Sequence, residues 1–163
     1  MRRSGVLLHI TSLPSPGGIG TLGQAAFDFV DFVVSAGMDI WQVLPVGPTG
    51  YAESPYQSAS TYAGNPLMID LATLEAEGIL PEGAYQPLPN GAAVDFEAVK
   101  AQKAEMLRLA FEHSRARLAE EIDAFADSHA WVRDYALFYA IKEHFGLISW
   151  MDWPDQDIRL RKP

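Results

Sequence analysis

The chain opens with a nearly unbroken apolar run, GVLLHI at residues 5–10, bounded by turn-forming residues. Such a run predicts a short strand buried on both faces, the pattern of parallel sheets. TSLPSPGGIG (11–20) follows as a Pro/Gly loop. Thr21 and Gln24 then stand in the spacing of a capping box, which predicts a helix over about 22–36. Its polar positions, Gln24, Asp28, Asp31 and Ser35, form one narrow stripe. Phe27, Phe29, Val30, Phe32, Val33 and Val34 leave the rest dry, so the helix should pack on more than one neighbour. Gly37 is placed to end it, and DIWQVLPV (39–46) predicts a second strand.

Strand, helix and strand in this order make a βαβ unit, whose crossover is right-handed and whose strands run parallel. A parallel sheet needs more strands and helices than this one unit holds. The following residues turn helical instead. LMIDL (67–71) is short and apolar, TLEAEGIL (73–80) predicts a brief helix, and residues 81–92 read as loop. A long helix is expected over about 96–118, with Val99, Met106, Leu107, Ala110 and Phe111 on its apolar side. Another is expected over about 128–145, where Trp131, Tyr135, Phe138 and Phe145 make a stripe that reads as core packing. GLISWMDWPDQDIRLRKP closes the chain with no clear element, and the sheet begun at its start is unfinished. The organisation expected is a βαβ unit at 1–70 and a mainly helical subdomain at 71–163, an N-terminal piece of a larger α/β protein.

Composition narrows the classes. The 163 residues carry 12 Lys+Arg against 21 Asp+Glu, a net charge of −9. Basic clusters occur only at the termini, Arg2-Arg3 and Arg159 to Lys162, which argues against a nucleic-acid partner. There is no Cys, so disulfides and thiolate metal sites are excluded. No run approaches the roughly 18 apolar residues of a membrane helix. The run after Arg2-Arg3 is too short for a signal peptide. The expectation is a cytoplasmic protein.

Candidate chemistry is sparse. Gly18-Ile19-Gly20-Thr21-Leu22-Gly23 matches the G-x-G-x-x-G of dinucleotide cradles in letters. It lies far from the first strand, and the second strand lacks an acidic residue at its end, so a structural loop is the better reading. Of His9, His113, His129 and His144, only His9 falls at a strand end, and none has metal-ligand spacing. Glu53 and Asp70 are the carboxylates near strand ends, and neither has an obvious partner for acid–base work.

The more informative stretch is GPTGYAESPYQSASTYAGNP (47–66). Tyr51, Tyr56 and Tyr62 offer flat faces with polar tips, Ser54, Gln57 and Asn65 offer neutral hydrogen bonds, and Glu53 is its one charge. That chemistry suits a neutral, hydroxyl-rich ligand such as a sugar; the alternative is a packed loop whose tyrosines fill gaps.

GVLLHITSLPSPGGIGTLG together with WQVLPVGPTGYAESPYQSASTYAGNPLMIDL resembles the N-terminal part of the 4-α-glucanotransferases, the amylomaltase or disproportionating-enzyme family. Weaker motifs continue through DYALFYAIKEHFG to the Trp150–Pro154 segment, so the resemblance spans nearly the whole chain. It implies a (β/α)8 TIM barrel with inserted subdomains, of which this chain would hold the first two strands, with the tyrosine loop on the barrel's working face. It implies transfer of α-1,4-glucan segments with retention, by an Asp nucleophile and a Glu acid, with no metal or organic cofactor. Those carboxylates belong to later strands, so no catalytic residue is assigned here. What it carries over is binding of an α-1,4-glucan or malto-oligosaccharide by Tyr56, with Ser54 and Gln57 beside it, and a more remote glucan contact at Tyr51.

Two positions depart from the family pattern. Gly17 stands where members often have an aromatic, and Ala52-Glu53 stand where many have Gly-Asp. A second reading is a non-catalytic glucan-binding module, and a third is a nucleotide-binding α/β protein. Because a two-strand parallel unit leaves its edges unpaired, the piece is expected to self-associate, to stay tied to another segment, or to be marginally stable.

Overall fold

The computed structural model describes residues 2–159; Arg161 and Lys162 of the second basic cluster lie outside them. The chain forms two compact units, residues 1–119 and 120–163.

The first unit is built on two short parallel strands, β1 (Gly5–Leu7) and β2 (Ile40–Gln42), in the register Gly5 to Ile40, Val6 to Trp41 and Leu7 to Gln42. Amide bonds from Asp39 to Ser4 and from Leu8 to Gln42, both 3.0 Å, lengthen the ladder at each end. The strands are shorter than the apolar runs that predict them. They are also not buried on both faces: Val6 and Trp41 are half-buried, while Leu7 and Ile40 are exposed. The reason is the supply of partners. Helix α1 (Gln24–Ser35) packs on one side, setting Phe29 edge-on against Trp41 with centroids 4.9 Å apart. Ile10, Leu13, Ala26 and Met68 fill the layer between, with Leu8, Phe29, Trp41 and Val43 around them.

The broad dry surface of α1 has only part of its packing inside this unit. Ala26 and Val33 are buried, but Phe27, Val30, Phe32 and Val34 are exposed. Its C-terminus ends as expected: Gly37, at φ +70°, donates to the Val34 carbonyl and Met38 to that of Val33, at 2.9 and 3.0 Å. These are the paired bonds of a Schellman motif. The N-terminus differs from expectation. Gly23, not Thr21, is the N-cap residue and gives no side-chain bond. The Thr21 hydroxyl donates instead to Asp70 Oδ2 at 2.6 Å, and Gln24 donates to Asp28. The helix begins at Gln24, so Thr21 has no N-cap amide to accept from, and its hydroxyl donates to a carboxylate within reach.

Asp70 also caps helix α2 (Leu71–Ala76), accepting from the Thr73 amide and hydroxyl at 2.8 and 2.9 Å. Helix α3 (Phe96–Ser114) starts at Asp95, whose side chain accepts from the Ala98 amide. It packs within the first unit through two apolar clusters. Val99 meets Ile19 and Leu67, and Met106 and Ala110 meet Leu71 and Leu80. Phe111, placed on the apolar side by spacing, is 53% exposed.

In the second unit, α4 (Ala119–Ser128) precedes α5 (Trp131–His144), and a short α6 (Gln156–Arg159) follows. Sequence pattern missed α4 and began α5 three residues early. The aromatic stripe of α5 reaches only part of the core packing expected of it: Trp131, Tyr135, Phe138 and Phe145 are half-buried and none is fully buried. Phe138 and Phe145 stand 5.8 and 5.7 Å from Trp153, which is buried.

Candidate functional site

Residues 47–66 follow β2 and close on themselves. At the base, the Asn65 amide donates to the Val46 carbonyl at 2.8 Å. Asn65 Oδ1 accepts from the Leu67 amide at 3.0 Å, capping the 3-10 turn Pro66–Met68. Asn65 is thus buried in the loop's foundation rather than offered to a ligand.

Inside the loop the backbone doubles back. A Cβ on Gly50 would lie 2.2 Å from the Gln57 carbonyl oxygen, and one on Gly47 would lie 2.7 Å from Ser58 Oγ. At Gly50 the neighbour is backbone and only glycine permits the approach. Ser58 Oγ donates to the Ser60 carbonyl, and Ser60 Oγ accepts from the Tyr62 and Ala63 amides. These local bonds fix the second half without secondary structure.

The first half holds the site residues. Tyr51–Glu53 form a 3-10 turn in which Ala52 and Glu53 have φ of 53° and 55°. Left-handed backbone is disfavoured for a residue with a Cβ. Many members of the family that the sequence resembles would have Gly at position 52, where this conformation costs little; Ala52 takes it nonetheless. Glu53 is held from two sides: Thr49 Oγ1 donates to Oε2 at 2.6 Å, and Lys100 Nζ of α3 pairs with Oε1.

The four residues predicted to bind glucan therefore lie within one folded segment. Tyr51 is 86% exposed and Tyr56 is 73% exposed. Gln57 is exposed and Ser54 is half-buried, its carbonyl accepting from the Gly50 and Gln57 amides. Large aromatic faces left in water on a braced loop are what a ligand with apolar C–H faces and hydroxyls can use.

Other candidates are absorbed by the fold. Gly18 (φ +79°) passes beside Leu88 and Val99, Gly20 packs on the backbone of Ile10 and Leu13, and Gly23 faces Asp70 Oδ2. The Asp70 carboxylate thus occupies the helix N-terminus that a phosphate would need. Burial pushes the Asp70 carboxyl up, but bonds from Thr21 and Thr73 and the Lys103 charge outweigh this and leave it below its ordinary value. His9 is half-buried after β1; burial lowers its pKa, and Nδ1 has no partner among the described residues. No group of metal-ligating residues and no helix long and apolar enough to cross a membrane occurs among the described residues.

Sequence reading missed Lys100 and Lys103. Lys103 is buried, and its Nζ donates to the Ile69 carbonyl. Its signal was present: in the buried stripe Val99, Lys103, Met106, Ala110 of α3, a Lys stands at a core position.

Comparison with known proteins shows the family to which the chain belongs. The model of glycoside hydrolase family 77, described as 4-alpha-glucanotransferase, matches residues 8–163. The chain belongs to this family. It is 43% identical to the 4-alpha-glucanotransferase of Synechocystis, over 99% of this chain and 33% of that protein. It is 45% identical to that of Thermus thermophilus, over 94% of this chain and 31% of the relative. The structure superposes on the amylomaltase from Streptococcus agalactiae, solved in complex with acarbose, with a TM-score of 0.93. The two are 39% identical, covering 100% of this chain and 34% of that one. The family 77 chain thus spans about a third of the length of the relatives it matches.

Proposed function

We propose that this chain is the N-terminal third of a 4-α-glucanotransferase. In this reading β1 and β2 are the first two strands of a (β/α)8 barrel, and residues 1–70 are its opening βαβ unit. Residues 71–163 form an insertion flanking the glucan groove. The remaining strands and helices cover the free edges of the two-strand sheet and the exposed Phe27, Phe32 and Val34 of α1. The protein works in the cytoplasm and uses no metal or organic cofactor.

The chain's part in the reaction is to hold the donor glucan. Tyr56 stacks on or hydrogen-bonds a glucose ring near the bond to be cut, with Ser54 and Gln57 at its hydroxyls, and Tyr51 grips a more distant part of the polymer. An Asp and a Glu from elsewhere in the complete protein perform the double displacement. The Asp attacks the anomeric carbon while the Glu protonates the leaving oxygen, and the 4-hydroxyl of a second sugar then displaces the Asp as it gives its proton back to the Glu. The observation that carries this reading is the family match over 8–163, joined to a braced loop that leaves Tyr51, Tyr56 and Tyr62 exposed.

The test is incubation of the complete protein with maltotriose. Glucose and oligosaccharides longer than the substrate are expected. Sugar binding with no redistribution of chain length would support a binding module instead, and neither binding nor redistribution would end the glucan reading.

A further inference from the structure

Two lysines on neighbouring turns of α3 touch opposite ends of the segment that carries the tyrosines. Lys100 pairs with Glu53 near its start, and Lys103 donates to the Ile69 carbonyl just past its end. The helix that presents them is itself seated by Val99, which is buried against Ile19 and Leu67. The segment between these contacts contains the left-handed Ala52 and Glu53. Such backbone persists in residues with a Cβ only where its surroundings hold it. Ala52 has no functional group to hold. Glu53 has, and both its carboxylate oxygens are engaged, with 15% of the side chain exposed.

We propose that Lys100 is a positioning residue for glucan binding: through Glu53 it keeps the Tyr51–Glu53 turn left-handed and so sets where the Tyr51 and Tyr56 rings stand. Tyr51 opens the braced turn itself. Tyr56 follows through the close approach of Gly50 to Gln57, which ties the two halves of the bend. Thr49 alone cannot substitute, because it lies in the same loop and moves with it, whereas Lys100 belongs to a helix seated on the core. The strut acts locally. Lys100 is half exposed, and a pair of that kind adds little to global stability. Its loss should free the turn without unfolding the protein. The proposal rests on the reading of this loop as a glucan site.

The test uses the complete protein and two readouts: amide hydrogen exchange over residues 50–57, and the dissociation constant for maltoheptaose. Lys100→Ala is expected to speed exchange in that segment about fivefold and to weaken maltoheptaose by a similar factor, the size of one lost surface ion pair. The melting temperature stays put. Lys100→Arg keeps the charge and should behave like the wild type in both readouts. Adding Ala52→Gly to Lys100→Ala removes the cost of the left-handed turn and should recover most of the protection. Unchanged exchange in Lys100→Ala would overturn the strut, as would a double variant no better protected than the single one. If the wild type binds no maltoheptaose, the glucan reading fails, and the exchange data still decide whether Lys100 holds the turn.

Discussion

Thr21 Oγ1 donates to Asp70 Oδ2 at 2.6 Å across 49 residues of sequence. The same carboxylate caps α2 through Thr73, so one side chain joins the entry to α1 with the segment leaving the tyrosine loop. Asp70→Ala removes a helix cap and a charge-assisted bond, a loss of about 3 kcal/mol. Urea unfolding should show it as a lowered midpoint. The pH dependence has a fixed sign. The folded carboxyl titrates below its ordinary value of 3.8, so its stabilisation is present above that value and is lost as pH falls through the folded one. The stabilities of the wild type and of Asp70→Asn should therefore converge in acid.

Lys103 tilts stability with pH in the same direction for a different reason, since here the fold disfavours the charged form. Burial lowers its pKa from 10.5 to about 8, against the opposing pull of Asp70. Between those values the unfolded chain binds more protons than the folded one, so this group makes stability rise with pH. Below about 8 both states are protonated and the full cost of the buried ammonium is present. Lys103→Met should flatten that rise. Allowing for partial screening, the stability of the wild type relative to the variant should climb by about 2 kcal/mol from pH 8 to 10.5. Urea titrations of both proteins at the two ends of the range measure it; a constant difference would show that Lys103 is not strained by burial.

Gly20 of the letter match to a nucleotide cradle and Gly37 at the end of α1 are required for different reasons, and they can be told apart. A Cβ on Gly20 would lie 2.0 Å from the Ile10 carbonyl oxygen and 2.7 Å from the Leu13 amide nitrogen. Both neighbours are backbone and cannot swing aside, so Gly20→Ala should cost about 3 kcal/mol. Gly37 has open space around its would-be Cβ, and only its φ of +70° opposes a side chain. Gly37→Ala should cost about 1 kcal/mol. Thermal melts that rank the two the other way would contradict the packing of the 11–20 loop on β1.

What could be read in the sequence was what neighbouring residues decide. The end of α1 at Gly37 depends on one left-handed residue and the turn before it, and the α5 aromatic stripe on its own spacing. The tyrosines of loop 47–66 could be singled out by composition, and the structure leaves them exposed. Contacts made across the chain were not legible. Thr21 has the letters of a cap, but its hydroxyl is taken by a carboxylate brought from α2. Lys100 looks like a solvated helix residue until Glu53, 47 residues away, is placed beside it. The dry runs of β1 and β2 imply two covered faces, yet cover depends on what packs there, and one helix covers one face. Helix α4 escaped notice because Ile122 and Phe125, its large apolar residues, are both exposed and mark no buried stripe.

Tyr56 separates a ligand surface from a packed loop. A tyrosine that fills a gap loses core packing when cut to Ala, at a cost of several kcal/mol. Tyr56 is 73% exposed and Tyr51 86%, so truncating either should move stability by less than about 0.5 kcal/mol. Sugar binding should respond differently. Tyr56→Ala loses both the ring face and the hydroxyl, and maltoheptaose should bind the complete protein about tenfold more weakly. Tyr56→Phe keeps the face, so the part of the loss it recovers measures stacking against hydrogen bonding. Tyr51→Ala should weaken long chains more than maltotriose, because a contact remote from the cleavage point is reached only by a longer glucan. Calorimetric titration of the variants with both sugars checks this pattern. Equal affinity for wild type and Tyr56→Ala, with stability unchanged, would leave the open ring without a ligand and remove the loop from the glucan site.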